Sequence, residues 1–570
     1  MKTKRLLSLL LASTMMLTVA VGLVGCGKAK ETASDVTSTK KDDDQHLKLV
    51  FIQPLTLDVN ETQDADSSTV LTEVQETLAR TRVVDGKDKI EPAGAKSWDI
   101  SKDGLTWTFH LRDYKWSDGV QVTASQYVDS FRRLLKKENA FPYAYFAYEI
   151  KGAEAFNEGT GKAEDLGVVA KDDKTLVITL DRPTPYFEKK LAIPNFGPIR
   201  LDVIAKGGEN WKTDPEKQVY CGPYKIKEWV KENRIIFEKN PTYWDAENVF
   251  VKTVEMNKIV ETSTMAQLFE KKELDLVGGL NGYVKKWQDD AKAGKFQYRA
   301  ADVPTASYYG FNCEGGQSGL MTNKKIRLAL SLCLDREDYV ATIADRFTPA
   351  YGIVPKSIMS GNDEYRAVTK DPLKDLAAEY KNNPKKLQEL FKEGLKELGK
   401  DTTDLSKIKL KYITTGSGAA DKQANEWFQQ QFKKNLGIDL SIDVLVSNAV
   451  VSKTAKDMKW DILYCGWSAD FNDPINFLDY YASQNDNNKI HFNNPEYSKI
   501  VKDLDKELNP ANRLKQYQKL EEILVKDEAV VMPLYYRDAR TFRQNYLRDF
   551  MCPAFGTTYE WRWAYTSGRK

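Results

Sequence analysis

The segment SKDGLTWTFHLRDYKWSDGVQVTASQYVDSFRRLL, residues 101–135, contains a strand, a turn and a helix start in close succession. Its first part alternates apolar and polar residues, which is typical of a half-buried strand. The apolar face of that strand consists of Leu105, Trp107, Phe109 and Leu111. WSDG at 116–119 predicts a turn. Thr123 followed by Gln126 matches a capping box and predicts a helix through Leu135.

The same alternation of strands and helices continues along the chain, and it indicates an α/β architecture. No fixed-period repeat is visible. Other clear predictions are a first strand at 47–52, a helix at 68–79, a strand at 307–312 and a helical zone at 323–345.

Length and composition limit the possible classes of protein. The chain has 570 residues, of which 41% are hydrophobic and 11% aromatic, so we expect two to four folded domains. The 84 Lys and Arg residues nearly balance the 82 Asp and Glu residues. This balance gives no basic excess for binding nucleic acid.

The N-terminus has the composition of an export signal. Lys2, Lys4 and Arg5 precede an uncharged stretch at 6–24, and LVGC ends at Cys26. Basic, apolar and small segments in this order predict a cleaved signal peptide over 1–25. A transmembrane anchor is the alternative interpretation. LVGC resembles the bacterial lipobox, which implies lipid attachment to Cys26, and the polar residues 26–46 predict a flexible tether.

Motifs of enzymes and metal sites are missing from the sequence. It has no nucleophile elbow, zinc-protease motif, P-loop or dinucleotide-binding fingerprint. Only His46, His110 and His491 are available, and no two cysteines form a C-x-x-C pair. We therefore expect no metal site and no cofactor. A carboxylate pair for glycoside hydrolysis stays open, because such a pair meets only in the fold.

A second segment raises a question about charge. CGWSADFNDP at 465–474 follows an apolar run and places Asp470 between Trp467 and Phe471. A carboxylate among aromatic residues needs water or a positive partner. The alternative is that Asp470 caps a helix near Pro474, although Asp473 is better placed for that role.

Several segments together resemble bacterial extracellular solute-binding protein family 5, and in particular its peptide-binding members in ABC importers. They are residues 101–135, YCGPYKIKEWV with FEKNPTYW, KKIRLALSLCLDRE, GWSADFNDPINFL and VVMPLYY. The resemblance covers most of residues 47–545.

The resemblance implies a two-lobed, periplasmic-binding-protein-like fold of type II, cluster C, with a hinge and an extra domain inserted in lobe I. Mapped onto this chain, lobe I combines 47–88, 218–305 and 536–570, the inserted domain is 89–217, and lobe II is 306–535.

The resemblance also implies where a ligand lies. Peptide-binding members of the family share a W-x-x-D motif, whose aspartate binds the α-ammonium group of the ligand. Residues Trp467 to Asp470 match this motif. The cleft is then lined by the backbone at Gln63 and Ala65, by Tyr143, and by the strand at Gly466 and Trp467. Simple packing in FPYAYFAY is an equal interpretation of Tyr143. Tyr464 stands where some members carry an arginine near the ligand's carboxylate, so we expect that contact to be lost.

The resemblance implies a monomeric receptor without catalytic residues, which passes oligopeptides to ABC permease subunits. It would sit on the extracellular face of the bacterial cell membrane through its lipid anchor, or in a periplasm. Two alternatives remain: the same fold with another ligand (a nickel chelate, an oligosaccharide, heme or a signalling peptide), or a secreted hydrolase.

Overall fold

The computed structural model describes residues 40–569 apart from 85–86, 281, 345–346, 417, 446–447 and 484–487. Cys26, the predicted signal peptide and residues 26–39 of the predicted tether lie outside these residues. No helix among the described residues is both long and apolar enough to cross a membrane.

The segment 101–135 folds as its pattern predicts. Its strand is Thr106–Leu111, in which Trp107, Phe109 and Leu111 are buried and the residues between them are not. Gly119 takes a φ of 89° in the turn, a conformation that suits glycine. The helix is Ala124–Leu134, and the Gln126 side chain accepts the Thr123 N–H at 3.3 Å, as half of a capping box does.

This strand belongs to a four-stranded antiparallel sheet that we call the insertion sheet. Its order is Ala95–Ile100, Thr106–Leu111, Thr175–Thr179 and Val168–Asp172. Phe131 and Leu134 of the helix are buried in the same core as Phe109 and Leu176 of the sheet. The helix that follows the strand in sequence packs on the same sheet, against Val168–Asp172 and Thr175–Thr179.

A second four-stranded sheet contains the first described strand, and we call it the N-terminal sheet. Its order is His46–Val50, Thr253–Asn257, Arg234–Lys239 and Tyr224–Val230. The first two strands run parallel and the others antiparallel. Leu47, Phe237 and the distant Trp561 share its core.

The largest sheet, which we call the central sheet, joins distant parts of the chain. Its order is Leu276–Gly278, Val531–Arg543, Gln297–Phe311, Ile462–Ser468, Lys409–Thr415 and Asp439–Leu445, with Thr348–Pro349 also pairing with Val531–Arg543. The last three strands of this order run parallel to one another, whereas the remaining pairs are antiparallel.

Two strands of the central sheet are much longer than their neighbours, and we call them the linking strands. They are Gln297–Phe311 and Val531–Arg543, with 15 and 13 residues. Their pairing is interrupted by register shifts between Asp302 and Ala306 and between Ser307 and Tyr308. In the first linking strand the sequence predicted only 307–312, so it missed residues 297–306.

Three two-stranded pairs complete the sheets: Ala79–Val84 with Lys87–Pro92, Met359–Ser360 with Asp363–Glu364, and Leu547–Arg548 with Tyr565–Thr566. The α-helices are Ala65–Val74, Ala124–Leu134, Ala153–Glu158, Phe187–Lys190, Leu201–Gly207, Thr262–Glu270, Val284–Lys292, Lys324–Leu332, Arg336–Thr342, Tyr365–Val368, Lys374–Tyr380, Pro384–Glu397, Ala419–Leu436, Asn448–Lys456, Ile475–Leu478, Pro495–Leu504 and Pro510–Glu522. Short 3₁₀ turns and a π-helical turn at Ile523–Asp527 connect several of them.

The helix predicted at 68–79 ends earlier, at Val74. The N–H of Gly222 bonds the Val74 carbonyl at 3.0 Å, and Gln75 is already extended. A Cβ on Gly222 would lie 2.6 Å from the Gln75 nitrogen, so only glycine allows this approach. A contact with a residue far along the chain thus ends the helix.

The predicted tether also ends earlier than expected. Residues 40–46 are held by the C-terminal segment, so the prediction of a flexible tether is wrong for them. The Gln45 amide bonds both backbone groups of Thr566, at 2.8 and 2.9 Å. The Asp42 carboxylate accepts the N–H groups of Gly568 and Arg569, at 2.8 and 3.1 Å.

Candidate functional site

The strand Ile462–Ser468 has one complete edge and one incomplete edge. It pairs with a linking strand along its whole length, from Phe311 opposite Ile462 to Thr305 opposite Ser468. On its other side it pairs with Lys409–Thr415 only at Ile462 and Leu463. Within the described chain, no strand covers this second edge between Tyr464 and Ser468. The backbone groups there are a template for one added strand.

Asp470 lies two residues beyond this edge. The residue as a whole is half-buried, but its carboxylate oxygen Oδ2 is buried. The carboxylate oxygen Oδ1 accepts a hydrogen bond from the Tyr143 hydroxyl at 2.8 Å. The other oxygen, Oδ2, has no hydrogen-bond partner among the described residues. Burial raises the pKa of Asp470 to about 6, although hydrogen bonds from Tyr143 and Asn476 oppose the shift. A buried oxygen of this kind favours a positive partner.

Tyr143 bridges Asp470 to a segment far away in sequence. Its hydroxyl also lies 3.4 Å from the backbone oxygen of Gln63. The ring packs against Phe146, with 4.4 Å between the centroids. The packing interpretation and the site interpretation of Tyr143 are therefore compatible, because its ring packs while its hydroxyl contacts the candidate site.

Gln63 and Ala65 are both exposed and stand at the start of the helix Ala65–Val74. The carboxylate of Asp64, between them, caps this helix by accepting the Ser67 N–H at 2.8 Å. Ala65 is the first helical residue, and a backbone N–H at that position has no partner within its helix.

Trp467 and Asp470 are held by one residue that the sequence reasoning missed. The Asn476 side-chain oxygen accepts the Trp467 indole N–H at 2.8 Å and the Asp470 backbone N–H at 3.2 Å. The indole also packs on Tyr480, with 5.1 Å between the ring centroids. Asn476 falls inside the family-like segment GWSADFNDPINFL, but its role depends on a turn that spacing alone does not reveal.

Helix capping at this place is done by Asp473 rather than Asp470. The Asp473 carboxylate accepts the Ile475 N–H at 3.0 Å, at the start of the helix Ile475–Leu478, and also the Tyr517 hydroxyl at 2.7 Å. Asp473 therefore has the helix-capping role that was the alternative interpretation of Asp470.

A buried ammonium group lies close to Asp470 but bonds elsewhere. Lys190 is 3% exposed, and its Nζ bonds Glu149 at 2.7 Å and the Phe146 carbonyl at 3.1 Å. Its charge helps to lower the pKa of Asp470 without a hydrogen bond to it. Lys190 thus compensates part of the Asp470 charge and leaves Oδ2 unbonded.

A cavity of about 410 Å³ is lined by Asp470 but not by Tyr143. Its lining comes from the helix Ala65–Val74, the hairpin around Arg80 and Asp88, and the segments 188–194, 359–362 and 555–562. Of the six predicted ligand-contacting residues, only Asp470 lines it. Gln63, Ala65, Tyr143, Gly466 and Trp467 lie instead around the unpaired edge or across from it.

Neither a metal cluster nor a disulfide occurs in the described part of the chain. It contains no group of three or more His, Cys, Asp or Glu side chains that could hold a metal ion. Its cysteines, Cys221, Cys313, Cys333, Cys465 and Cys552, are all free.

The chain is similar to proteins whose names describe peptide binding. It is 32% identical over 554 residues to the oligopeptide-binding protein OppA of Bacillus subtilis, covering 96% of this chain and 97% of that protein. The structure of Listeria monocytogenes OppA bound to peptide matches with a TM-score of 0.77 at 27% identity, covering 93% of this chain and all of the other. The Haemophilus influenzae OppA complex with RPPGFSPFR matches with a TM-score of 0.75 at 25% identity, covering 92% and 100%.

These matches confirm the predicted α/β, two-lobed fold and the predicted resemblance to peptide-binding members. The model of the family described as "Bacterial extracellular solute-binding proteins, family 5 Middle" matches residues 89–489. The chain therefore belongs to the bacterial extracellular solute-binding proteins of family 5.

Proposed function

We propose that this protein is a lipid-anchored extracellular receptor that captures oligopeptides between two lobes and delivers them to an ABC importer. One observation carries the proposal: an unpaired strand edge at Tyr464–Ser468 leads to Asp470, whose Oδ2 is buried and unbonded. The names of its relatives, which include OppA bound to peptide, support it.

The peptide would bind as an added strand. Backbone amides on the unpaired edge can pair with the backbone of any peptide, so binding would not require a particular sequence. Gly466 is exposed in the middle of this edge and has no side chain to obstruct the approach. Trp467, fixed by Asn476, would flank the bound chain.

The N-terminus of the peptide would be held by Asp470. An ammonium group enclosed with Oδ2 would supply the missing hydrogen bond and a compensating charge. Tyr143 would orient the carboxylate through Oδ1 and connect it to the backbone at Gln63. The backbone of Gln63 and Ala65 would contact the peptide from the opposite side of the cleft.

The linking strands are the candidate hinge between the lobes. Lobe I would comprise 47–88, 218–305 and 536–570, with 89–217 inserted, and lobe II would comprise 306–535. The register shift between Asp302 and Ala306 lies at the proposed boundary. An interrupted ladder bends more readily than a continuous one, which suits closure around a ligand.

Membrane attachment would be made through Cys26 after removal of residues 1–25. The tether would then be residues 26–39, because residues 40–46 are held by the C-terminal segment. The protein would act as a monomer and would leave ATP hydrolysis to the permease complex. Its relatives are solute-binding proteins, and we propose no catalysis.

The test is a double cycle by titration calorimetry, with native protein and Asp470→Asn against free and N-acetylated peptide. Removing one partner of a desolvated charge pair costs ~3–5 kcal/mol, so the variant should bind free peptide at least a hundredfold more weakly. Acetylated peptide should bind the native protein poorly and lose little more in the variant. Asp443→Asn is the control, because its carboxylate pairs with Lys411 at 2.8 Å on a neighbouring part of the sheet.

Additive effects of acetylation and mutation would show that Asp470 does not meet the ammonium group. Failure of the native protein to bind any peptide would favour another ligand, such as an oligosaccharide, a heme or a nickel chelate.

A further inference from the structure

The cavity that Asp470 lines has the size of a small-ligand pocket, and we call it the rear cavity. Its volume of about 410 Å³ falls within the roughly 300–1,000 Å³ of such pockets. The other five predicted ligand-contacting residues do not line it, so it is separate from most of the proposed peptide site. Apart from Asp470, the proposed function uses no residue of its lining.

Much of the lining of the rear cavity is apolar. Side chains from distant parts of the chain contribute to it: Leu71, Ile90, Ile193, Met359, Phe471 and Phe555. Such walls gain free energy when they contact an aliphatic group, because that contact removes apolar surface from water. They give no such gain with a compact, strongly hydrated ion. The occupant should therefore carry an apolar part.

The basic side chains of the lining already have partners within the protein. Arg80 pairs with Asp245 at 3.2 Å, and Arg562 pairs with Glu560 at the same distance. The ammonium group of Lys189 donates a hydrogen bond to a backbone carbonyl of proposed lobe II. Among the described residues, Lys189 is the one base of this lining without a carboxylate partner, so the lining offers little to an anion.

The acidic side chains of the lining are less well compensated. Among the described residues, neither Asp88 nor Glu188 forms an ion pair. Asp88 accepts the Ala554 backbone N–H at 3.2 Å, and burial raises its pKa to about 6 with no base of the described chain opposing the shift. Burial also raises the pKa of Glu188, although the charge of Lys189 opposes it. With Asp470, three carboxylates without an ion pair line a cavity that has only one such base.

We propose that the rear cavity binds an aliphatic chain that ends in an ammonium or guanidinium group. The apolar walls would contact the chain, and Asp88 would receive the cation, with Glu188 as a second carboxylate in the same lining. The cation would compensate a charge that burial makes costly, and it would form a charge-assisted hydrogen bond.

This chemistry has two sources. One is a lysine or arginine side chain at the first position of a peptide whose ammonium group is held at Asp470, and this source rests on the proposed function. The other is a free aliphatic diamine, which would bind the rear cavity whether or not the protein binds peptides. Both sources predict the same dependence on Asp88, so the experiment includes a ligand of each kind.

The experiment measures affinity by titration calorimetry for 1,5-diaminopentane and for three pentapeptides with free N-termini, KAAAA, LAAAA and EAAAA. The proteins are native protein, Asp88→Asn and Glu188→Gln. A hydrogen bond to a charged group contributes about tenfold to a hundredfold in affinity. If the peptide is the source, KAAAA binds native protein more tightly than LAAAA by that factor and loses the advantage in Asp88→Asn. If the free amine is the source, diaminopentane binds native protein, and its binding weakens by that factor in Asp88→Asn.

Asp172→Asn is the matched control. Asp172 also accepts a backbone N–H, from Lys174 at 2.8 Å, but it is exposed on the insertion sheet and does not line the rear cavity. The control should change none of the four affinities. Asp88→Asn keeps an oxygen that can accept the Ala554 N–H, so its melting temperature should stay at or above that of native protein.

Three results would overturn the proposal. One is equal binding of KAAAA and LAAAA by native protein together with no binding of diaminopentane. Another is an equal loss for every ligand in Asp88→Asn, because it would show that Asp88 only supports the fold. The third is a preference for KAAAA that survives in both Asp88→Asn and Glu188→Gln. The proposed function fails separately, if native protein binds none of the three peptides.

Discussion

Replacement of Phe471 by alanine should weaken peptide binding. Phe471 follows Asp470 directly and is 4% exposed. Its ring stacks on Tyr186, with centroids 5.1 Å apart and planes at 13°, and meets Phe146 edge-on at 6.1 Å. Both partners belong to the proposed inserted domain, whereas Phe471 belongs to proposed lobe II. In the proposed mechanism, closure of these two parts would bury the ring.

The size of the effect follows from this burial. Burying a phenylalanine side chain stabilises by ~1.5–3 kcal/mol, and an aromatic pair adds ~0.5–1.5 kcal/mol. Phe471→Ala should make closure less favourable by about 2–4 kcal/mol. Affinity is reduced by the same free energy when the free protein is open, so peptide binding should weaken about thirtyfold to nearly a thousandfold.

The assay combines titration calorimetry with solution scattering. Peptide should reduce the radius of gyration of native protein, and Phe471→Ala should need more peptide for the same reduction. Phe492→Ala is the matched control: Phe492 is also buried, at 5% exposure, but it packs on Tyr497 within the same proposed lobe, with 5.5 Å between the centroids. This control should lower the melting temperature and leave affinity unchanged.

The reasoning would be refuted if both variants lost the same stability while peptide affinity stayed at the native value. That result would mean that Phe471 is equally buried in the open protein. It would also mean that the stack on Tyr186 takes no part in closure.

Two further predictions concern Asp470 and Cys26. Burial raises the pKa of Asp470 from 3.8 to about 6, so the folded protein binds its proton more tightly than the unfolded chain and the charge of Asp470 reduces stability as pH rises through about 6. Asp470→Asn should therefore raise the melting temperature of the empty protein at pH 7.5 and have little effect at a pH below the unfolded value of 3.8, in scanning calorimetry; an equal effect at both pH values would contradict this. Cys26→Ser should abolish lipid attachment, so that mass spectrometry finds the precursor uncleaved at this site or the protein in the medium; an unchanged mature mass with full membrane retention would contradict the anchor.

The elements that the sequence determined by itself are those that depend on neighbouring residues. The strand around Trp107 and Phe109 follows from a period of two, and the start of the next helix follows from Thr123 and Gln126. Both need contacts over only a few residues, so their patterns are complete within a short segment. The W-x-x-D motif likewise predicts a ligand-binding role for Asp470 from four consecutive residues.

Tertiary structure decided whatever depends on residues that are distant in sequence. Gly222 ends the helix at Val74, and Thr566 holds Gln45, although these partners are well separated along the chain. The hydrogen bond between Tyr143 and Asp470 has the same origin. Sequence periodicity describes which face of an element is buried, but not which distant element covers it. The candidate site lies where several strands and the inserted domain meet, so its charges and unbonded oxygen emerge only when those parts are packed together.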